Sequence, residues 1–134
     1  MPTIVDTGPL VALLNASDQS HGEAIELFRR AERPWLTCEA VLSEAQFLLG
    51  RARRGAEALG GLLERRALIV GYSARGDEAA LVRLLAKYRD VPMSFADACL
   101  VRMSEQLPHD RLVTFDNDFA VYRRSDRRMV PQLK

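Results

Sequence analysis

Four carboxylates in this chain stand where a charged group needs a reason to be. Asp6 ends the short β-branched run Thr3-Ile4-Val5 and is followed by Thr7, Gly8, Pro9 and the apolar run Leu10 to Leu14. A strand that stops at an acid and turns through Gly into a helix with Pro in its first turn sets that acid on the rim of a ligand crevice, beyond the carboxyl ends of parallel strands. Glu44 falls three residues after Val41 and four before Leu48, on the apolar stripe of a helix predicted from Glu39 to about Arg53. Asp97 lies on the apolar side of a helix predicted to run to about Gln106, with Met93 behind it and Leu100 and Val101 ahead. Asp116, followed by Asn117 and Asp118, comes at the end of a strand predicted over Arg111 to Thr114.

Each acid taken alone has an ordinary structural reading. Asp6 makes an Asx turn into the helix at Pro9, Glu44 is a surface residue paired with an Arg, Asp97 closes a capping box with Ser94, and Asp116 caps the turn holding Phe119. Taken together, two acids at strand ends and two on inward helix faces would converge, and converging carboxylates in a low-dielectric pocket either take up protons or need a cation. All candidate ligands are oxygens, and His21 and His109 sit in an apparent loop and turn, so the expected ion is Mg2+ or Mn2+ and not zinc. A site of that kind polarises a phosphoryl oxygen and activates water for in-line displacement, which makes phosphodiester hydrolysis the reaction class these residues serve. No Gly-rich phosphate loop is present.

The elements that must position these acids alternate along the chain. After the first helix is broken by Ser17 to Ser20, Ser20 and Glu23 have capping-box spacing for a helix to about Arg30. Pro34 to Thr37 reads as a strand. Gly55 to Gly61 is a Gly-punctuated break around a short helical piece, and Ala67 to Val70 reads as another strand. A helix follows from about Arg75 to Tyr88, stopped by Asp90-Val91-Pro92. Phe119 to Tyr122 forms a helical turn, and Met129-Val130 a final strand. Strands alternating with helices predict an α/β domain with a mostly parallel sheet and right-handed crossovers, in one domain over residues 1–134.

Composition narrows the setting. With 134 residues and 48% hydrophobic content the chain buries roughly two-thirds of its unfolded surface on folding. No signal peptide or membrane span is visible, so the expected compartment is the cytoplasm. Cys38 and Cys99 lack zinc spacing and lie beside predicted core positions, where no disulfide is expected. The net charge of +1 is uninformative, but the basic residues are almost all Arg and they cluster: Arg51, Arg53 and Arg54; Arg65 and Arg66; Arg123, Arg124, Arg127 and Arg128. Guanidinium groups fork onto phosphate oxygens, which makes such clusters candidate nucleic-acid contacts, Arg51, Arg53 and Arg54 foremost; a solvated surface interleaved with Glu is the plainer reading of each.

The residues around the four acids carry a resemblance. Asp6-Thr7-Gly8-Pro9-Leu10, Val41-Leu42-Ser43-Glu44-Ala45, Ser94-Phe95-Ala96-Asp97-Ala98 and Thr114-Phe115-Asp116-Asn117-Asp118-Phe119 resemble the four motifs of a PIN domain, and more narrowly of the VapC-type toxins of toxin–antitoxin pairs. The resemblance implies a three-layer α/β/α fold, a Mg2+-dependent ribonuclease, a homodimer, and an antitoxin whose segment covers the active-site groove. It assigns Asp6, Glu44 and Asp97 as core acids and Asp116 as the fourth. Asp6 and Asp97 would contact metal directly, Asp118 would replace or assist Asp116, and Thr7 and Thr114 would support the site through hydrogen bonds. Other readings are a non-catalytic RNA- or partner-binding module of this fold and a DNA-directed metal nuclease. A phosphoryl-accepting domain ranks last, because it needs an Asp where Gly8 stands or a Lys near the site, and the lysines are Lys87 and Lys134.

Overall fold

The computed structural model describes residues 2–52 and 54–134. Four short strands, β1 (Thr3–Val5), β2 (Trp35–Thr37), β3 (Leu68–Val70) and β4 (Arg111–Val113), form one sheet in the order β3-β2-β1-β4. All three pairings are parallel. Successive side chains of a strand point to opposite faces, so burial of Thr3, Ile4 and Val5 alike means that both faces of β1 are covered. Helices α1 (Thr7–Leu14), α2 (His21–Arg30), α3 (Glu39–Leu49), α4 (Gly55–Glu64), α5 (Glu78–Lys87) and α6 (Phe95–Gln106) provide that cover, giving the expected layered α/β architecture. The chain leaves β1 for β2 on one side and comes back to β4 on the other. The order therefore reverses beside β1, and the crevice beyond the ends of β1 and β4 is where such a sheet binds its ligands.

Several elements differ from the sequence reading. Ser20 makes no side-chain cap: its backbone is not extended, and its own N–H donates to the Asp18 carboxylate instead. His21, expected in a loop, is the first residue of α2, with its ring Nδ1 2.7 Å from the Ala12 carbonyl. Helix α3 stops at Leu49, short of Arg53, which lies outside the described residues. Its buried stripe is Val41, Ala45 and Leu49, so Leu48 faces out and Glu44 is exposed at the stripe's edge, solvated as the sequence reading did not expect. The short helical piece expected within the Gly-punctuated break at Gly55 to Gly61 is longer than foreseen, a ten-residue helix, α4, driven by burial of Leu59 and Leu62. Gly55 opens it against Leu49, where a Cβ would come within 2.8 Å of the Leu49 side chain. The tail strand reduces to isolated bridges, Arg123 with Met129 and Leu112 with Gln132.

The two cysteines are free and buried, and a hydrogen bond between their side chains, followed by burial, holds the Cys99 thiol up. A polar cluster locks α5 to α6. The Arg102 guanidinium donates from Nε and Nη2 to the two oxygens of Asp77 at 2.7 and 2.8 Å, and the Tyr72 hydroxyl adds a third bond to Asp77 at 2.5 Å. The Arg102 bonds hold the Asp77 carboxyl below its ordinary 3.8, so its stabilisation is complete above that pH and is lost as pH falls through the lowered value. Asp77→Asn is expected to cost about 1.5–3 kcal/mol at pH 7, the worth of hydrogen bonds to a charged group. Urea unfolding at pH 7 and at successively lower pH checks this: the gap between variant and parent narrows as the solution becomes acid, and an unchanged gap refutes it.

Candidate active site

Asp6 is the residue at which β1 becomes α1. Its backbone is extended, as an N-cap requires, and its Oδ1 accepts the Thr7 N–H at 2.7 Å. Its Oδ2 accepts the Thr114 hydroxyl at 2.7 Å, across from the end of β4. Burial raises the Asp6 carboxyl to about 6; the two hydrogen bonds pull the other way, and the nearby Asp97 and Asp116 carboxylates add to the rise. Desolvation outweighs two good hydrogen bonds here, and repulsion among the acids compounds it.

Asp97 stands in the first turn of α6 and closes a reciprocal capping box, with its N–H on the Ser94 hydroxyl and its Oδ2 accepting the Ser94 N–H at 3.2 Å. The Tyr122 hydroxyl donates to the same Oδ2 at 3.1 Å. Burial again pushes this carboxyl up, against the Ser94 and Tyr122 bonds. Asp116 caps the short 3-10 helix Asn117–Ala120, its Oδ1 accepting the Asp118 N–H at 2.9 Å. Thr114 links the two strand ends, because its hydroxyl donates to Asp6 and accepts the Asp116 N–H at 3.0 Å. Glu44 is met by the Thr7 hydroxyl at 3.5 Å, the outer limit of a hydrogen bond.

One cavity of about 300 Å3 is lined by Asp6, Thr7, Gly8, Glu44, Ser94, Asp97, Phe115 and Asp116. The structure thus brings together the four acids singled out in the sequence, along with Thr7. Thr114 supports from behind and lines a wider groove of about 540 Å3, which shares its Phe115 and Asp116 wall with the acid cavity. Asp118 does not line the acid cavity; it supplies the N–H that orients Asp116. Arg51 and Arg54 are exposed between α3 and α4, and Arg53 lies outside the described residues. Tyr122 was missed by sequence reasoning. The available signal was a tyrosine in a predicted turn soon after the fourth acid, where a buried ring needs a partner for its hydroxyl.

Three of the acids do two jobs at once. In Asp97 and Asp116 a single oxygen takes all the hydrogen bonds, while the other accepts none among the described residues. These free oxygens, with Asp6 and Glu44, make an all-oxygen donor set around one cavity, which fits a hard divalent cation. Among the described residues no three Asp, Glu, His or Cys side chains are grouped closely enough to cage an ion by themselves. That spacing still fits Mg2+, which keeps several waters and takes one or two carboxylates. Tyr122→Phe removes a bond that orients Asp97. It is expected to weaken divalent-cation binding at this cavity about 10- to 100-fold, as loss of a hydrogen bond that orients a ligand does at metal sites. A Mn2+ titration of parent and variant checks it, and parental affinity counts against the role.

Carboxylates gathered at the switch point of a parallel sheet define a class that comparison with known proteins specifies. The PIN-domain family model matches residues 3–125, so the chain belongs to the PIN-domain family. Among solved structures, it is similar to the crystal structure of Mycobacterium tuberculosis VapC20, described as a sarcin–ricin loop cleaving toxin. The two are 27% identical with a TM-score of 0.77, over 89% of this chain and 93% of that one. No curated protein matches the chain. The fold and the VapC-type resemblance drawn from the four motifs agree with both findings. Among the described residues no helix is long and apolar enough to cross a membrane.

Proposed function

We propose that this chain is a divalent-metal-dependent endoribonuclease of the VapC type, the toxin of a toxin–antitoxin pair. The observation that carries the reading is the meeting of Asp6, Glu44, Asp97 and Asp116 around one cavity beyond the ends of β1 and β4. Membership of a nuclease family and likeness to an RNA-cleaving toxin support it. Asp6 and Asp97 hold Mg2+ or Mn2+, with Glu44 and Asp116 assisting directly or through water. The bound ion supplies Lewis acidity and lowers the pKa of attacking water.

The remaining chemistry belongs to the protein. Thr114 fixes the Asp6 carboxylate and the Asp116 backbone in one relay, so the acids from β1 and β4 keep a constant separation. Ser94 and Tyr122 pin one edge of Asp97 and leave the other edge for ligand. Glu44, solvated at the rim, holds water at the mouth of the cavity. Water attack on phosphorus with departure of the 3′ oxygen leaves 5′-phosphate and 3′-hydroxyl ends.

The chain works as a single domain in the cytoplasm, as a homodimer controlled by an antitoxin. The exposed Phe47 and Leu48 on α3 and Phe95 beside Asp97 offer apolar surface for such partners. The test is to incubate purified protein with RNA and Mg2+ and sequence the ends produced. Defined internal cuts with 5′-phosphates support the reading. Intact RNA, or cleavage that survives in Asp6→Asn and Asp97→Asn, overturns it.

A further inference from the structure

A second charged cavity, of about 170 Å3, lies between α5, α6 and the segment that follows the 3-10 helix. Its walls include Arg83, Lys87, Arg102, Arg123 and Arg124, against the single carboxylate Glu105. Arg102 is neutralised by Asp77, and Glu105 is engaged by Arg102 at 3.6 Å and by the Ser125 hydroxyl and N–H. The other four cations have no ion pair among the described residues. Arg124 is the telling one. It is only 8% exposed, and its guanidinium has just two neutral partners, the Ser104 hydroxyl and the Pro108 carbonyl, each at 3.3 Å. A cation held out of water without a counter-charge is costly. Arg83 and Lys87 add to the cost, since like charges four apart on a helix repel. Arg123 spends its Nη1 on the Ala120, Val121 and Tyr122 carbonyls and Lys87 lies over the Tyr88 ring, so Arg83 and Arg124 carry the charge that the fold leaves unbalanced and that an anion entering the cavity would balance.

We propose that this cavity binds backbone phosphate of the RNA substrate, away from the scissile bond; this rests on the ribonuclease reading above. Helix α6 carries Asp97 in its first turn and Arg102 five residues on, about 7.5 Å along the axis at 1.5 Å per residue. Tyr122 touches Asp97 and is followed at once by Arg123. The two side chains lie about 140° apart around α6, so a polyanion reaching from the acid cavity to the cationic one passes round the helix by way of Tyr122 and Arg123. Cations spread over two helices and a loop suit a track of phosphates better than one free ion. Arg123 and Arg124, from the third Arg cluster of the sequence, are the members that line this cavity.

The test uses full-length protein carrying Asp6→Asn, so that binding is read without cleavage, and a folded RNA of several tens of nucleotides. Arg83→Glu with Lys87→Glu, both on exposed positions, is expected to weaken binding at least tenfold and to lower the slope of log Kd against log salt by about 1.4–1.8, two contacts at ~0.7–0.9 each. Arg83→Gln with Lys87→Gln gives a smaller loss of the same sign and guards against misfolding. In the otherwise parental enzyme the Glu pair raises KM for the folded RNA, leaves kcat unchanged, and leaves cleavage of a short oligonucleotide unchanged. Unaltered affinity and salt slope overturn the proposal. So does displacement of the RNA by polyglutamate of equal charge, which marks a site for an acidic protein segment, or by inorganic phosphate at equal phosphate concentration, which marks a free-anion site. A parental enzyme that binds RNA through these cations but never cuts it refutes the ribonuclease reading alone.

Discussion

Asp6→Asn is expected to abolish RNA cleavage and, in the same molecule, to make the metal-free protein more stable. Losing about 4 kcal/mol of charge stabilisation in the transition state lowers the rate roughly 10³-fold. The stability gain follows from the carboxyl's raised value of about 6, against an ordinary 3.8, caused first by burial. The folded protein holds that proton more tightly than the unfolded chain. Metal-free stability therefore falls as pH rises through the window from 3.8 to about 6 and is flat above it. At pH 7 the ionised group costs about 3 kcal/mol at 1.36 kcal/mol per unit. Asparagine keeps the acceptor for the Thr7 N–H and turns an amide toward the Thr114 hydroxyl, so about 1–3 kcal/mol is recovered. Melting in chelator should show the variant several degrees above the parent at pH 7 and level with it near pH 3.5. A variant less stable than its parent at pH 7 contradicts the account.

Chelation is expected to have an effect of similar size. With EDTA, cleavage should fall to background, and Mg2+ or Mn2+ should restore it. The same ions should stabilise the parent by about 2.7 kcal/mol at a hundred times their dissociation constant. Asp6→Asn combined with Asp97→Asn should lose that shift, because the two residues proposed to hold the ion no longer offer carboxylates. A parental rate in excess EDTA, or an ion-induced shift that survives the double substitution, removes the metal from the reaction.

Much of this was readable in the chain because the local rules and the chemistry agree at the acids. Asp97 satisfies the capping-box spacing with Ser94 and also faces the site; Asp116 caps a turn and lines the same cavity. The structural and functional readings looked like rivals, yet a cap uses one oxygen and leaves the second for other work. The errors lie where tertiary contacts overrule local signals. Ser20 has the right spacing to Glu23, but Asp18 takes its N–H first. Glycines at 55, 60 and 61 argue against a helix, and burial of Leu59 and Leu62 overrides them. Along α3 the periodicity was right and its phase slightly wrong, which turned Leu48 outward and left Glu44 in solvent. Tyr122 carried no spacing rule at all, since its partner lies 25 residues back in the chain.

The sharing of oxygens between helix starts and the acid cavity ties catalysis to local breathing. A cation drawing on Asp6 or Asp97 would also tighten the first turns of α1 and α6, where Asp6 Oδ1 accepts the Thr7 N–H and the Ser94 hydroxyl accepts the Asp97 N–H. Hydrogen exchange at Thr7 and Asp97 should therefore slow when metal is added, reporting occupancy of the site from backbone positions that never touch the ion.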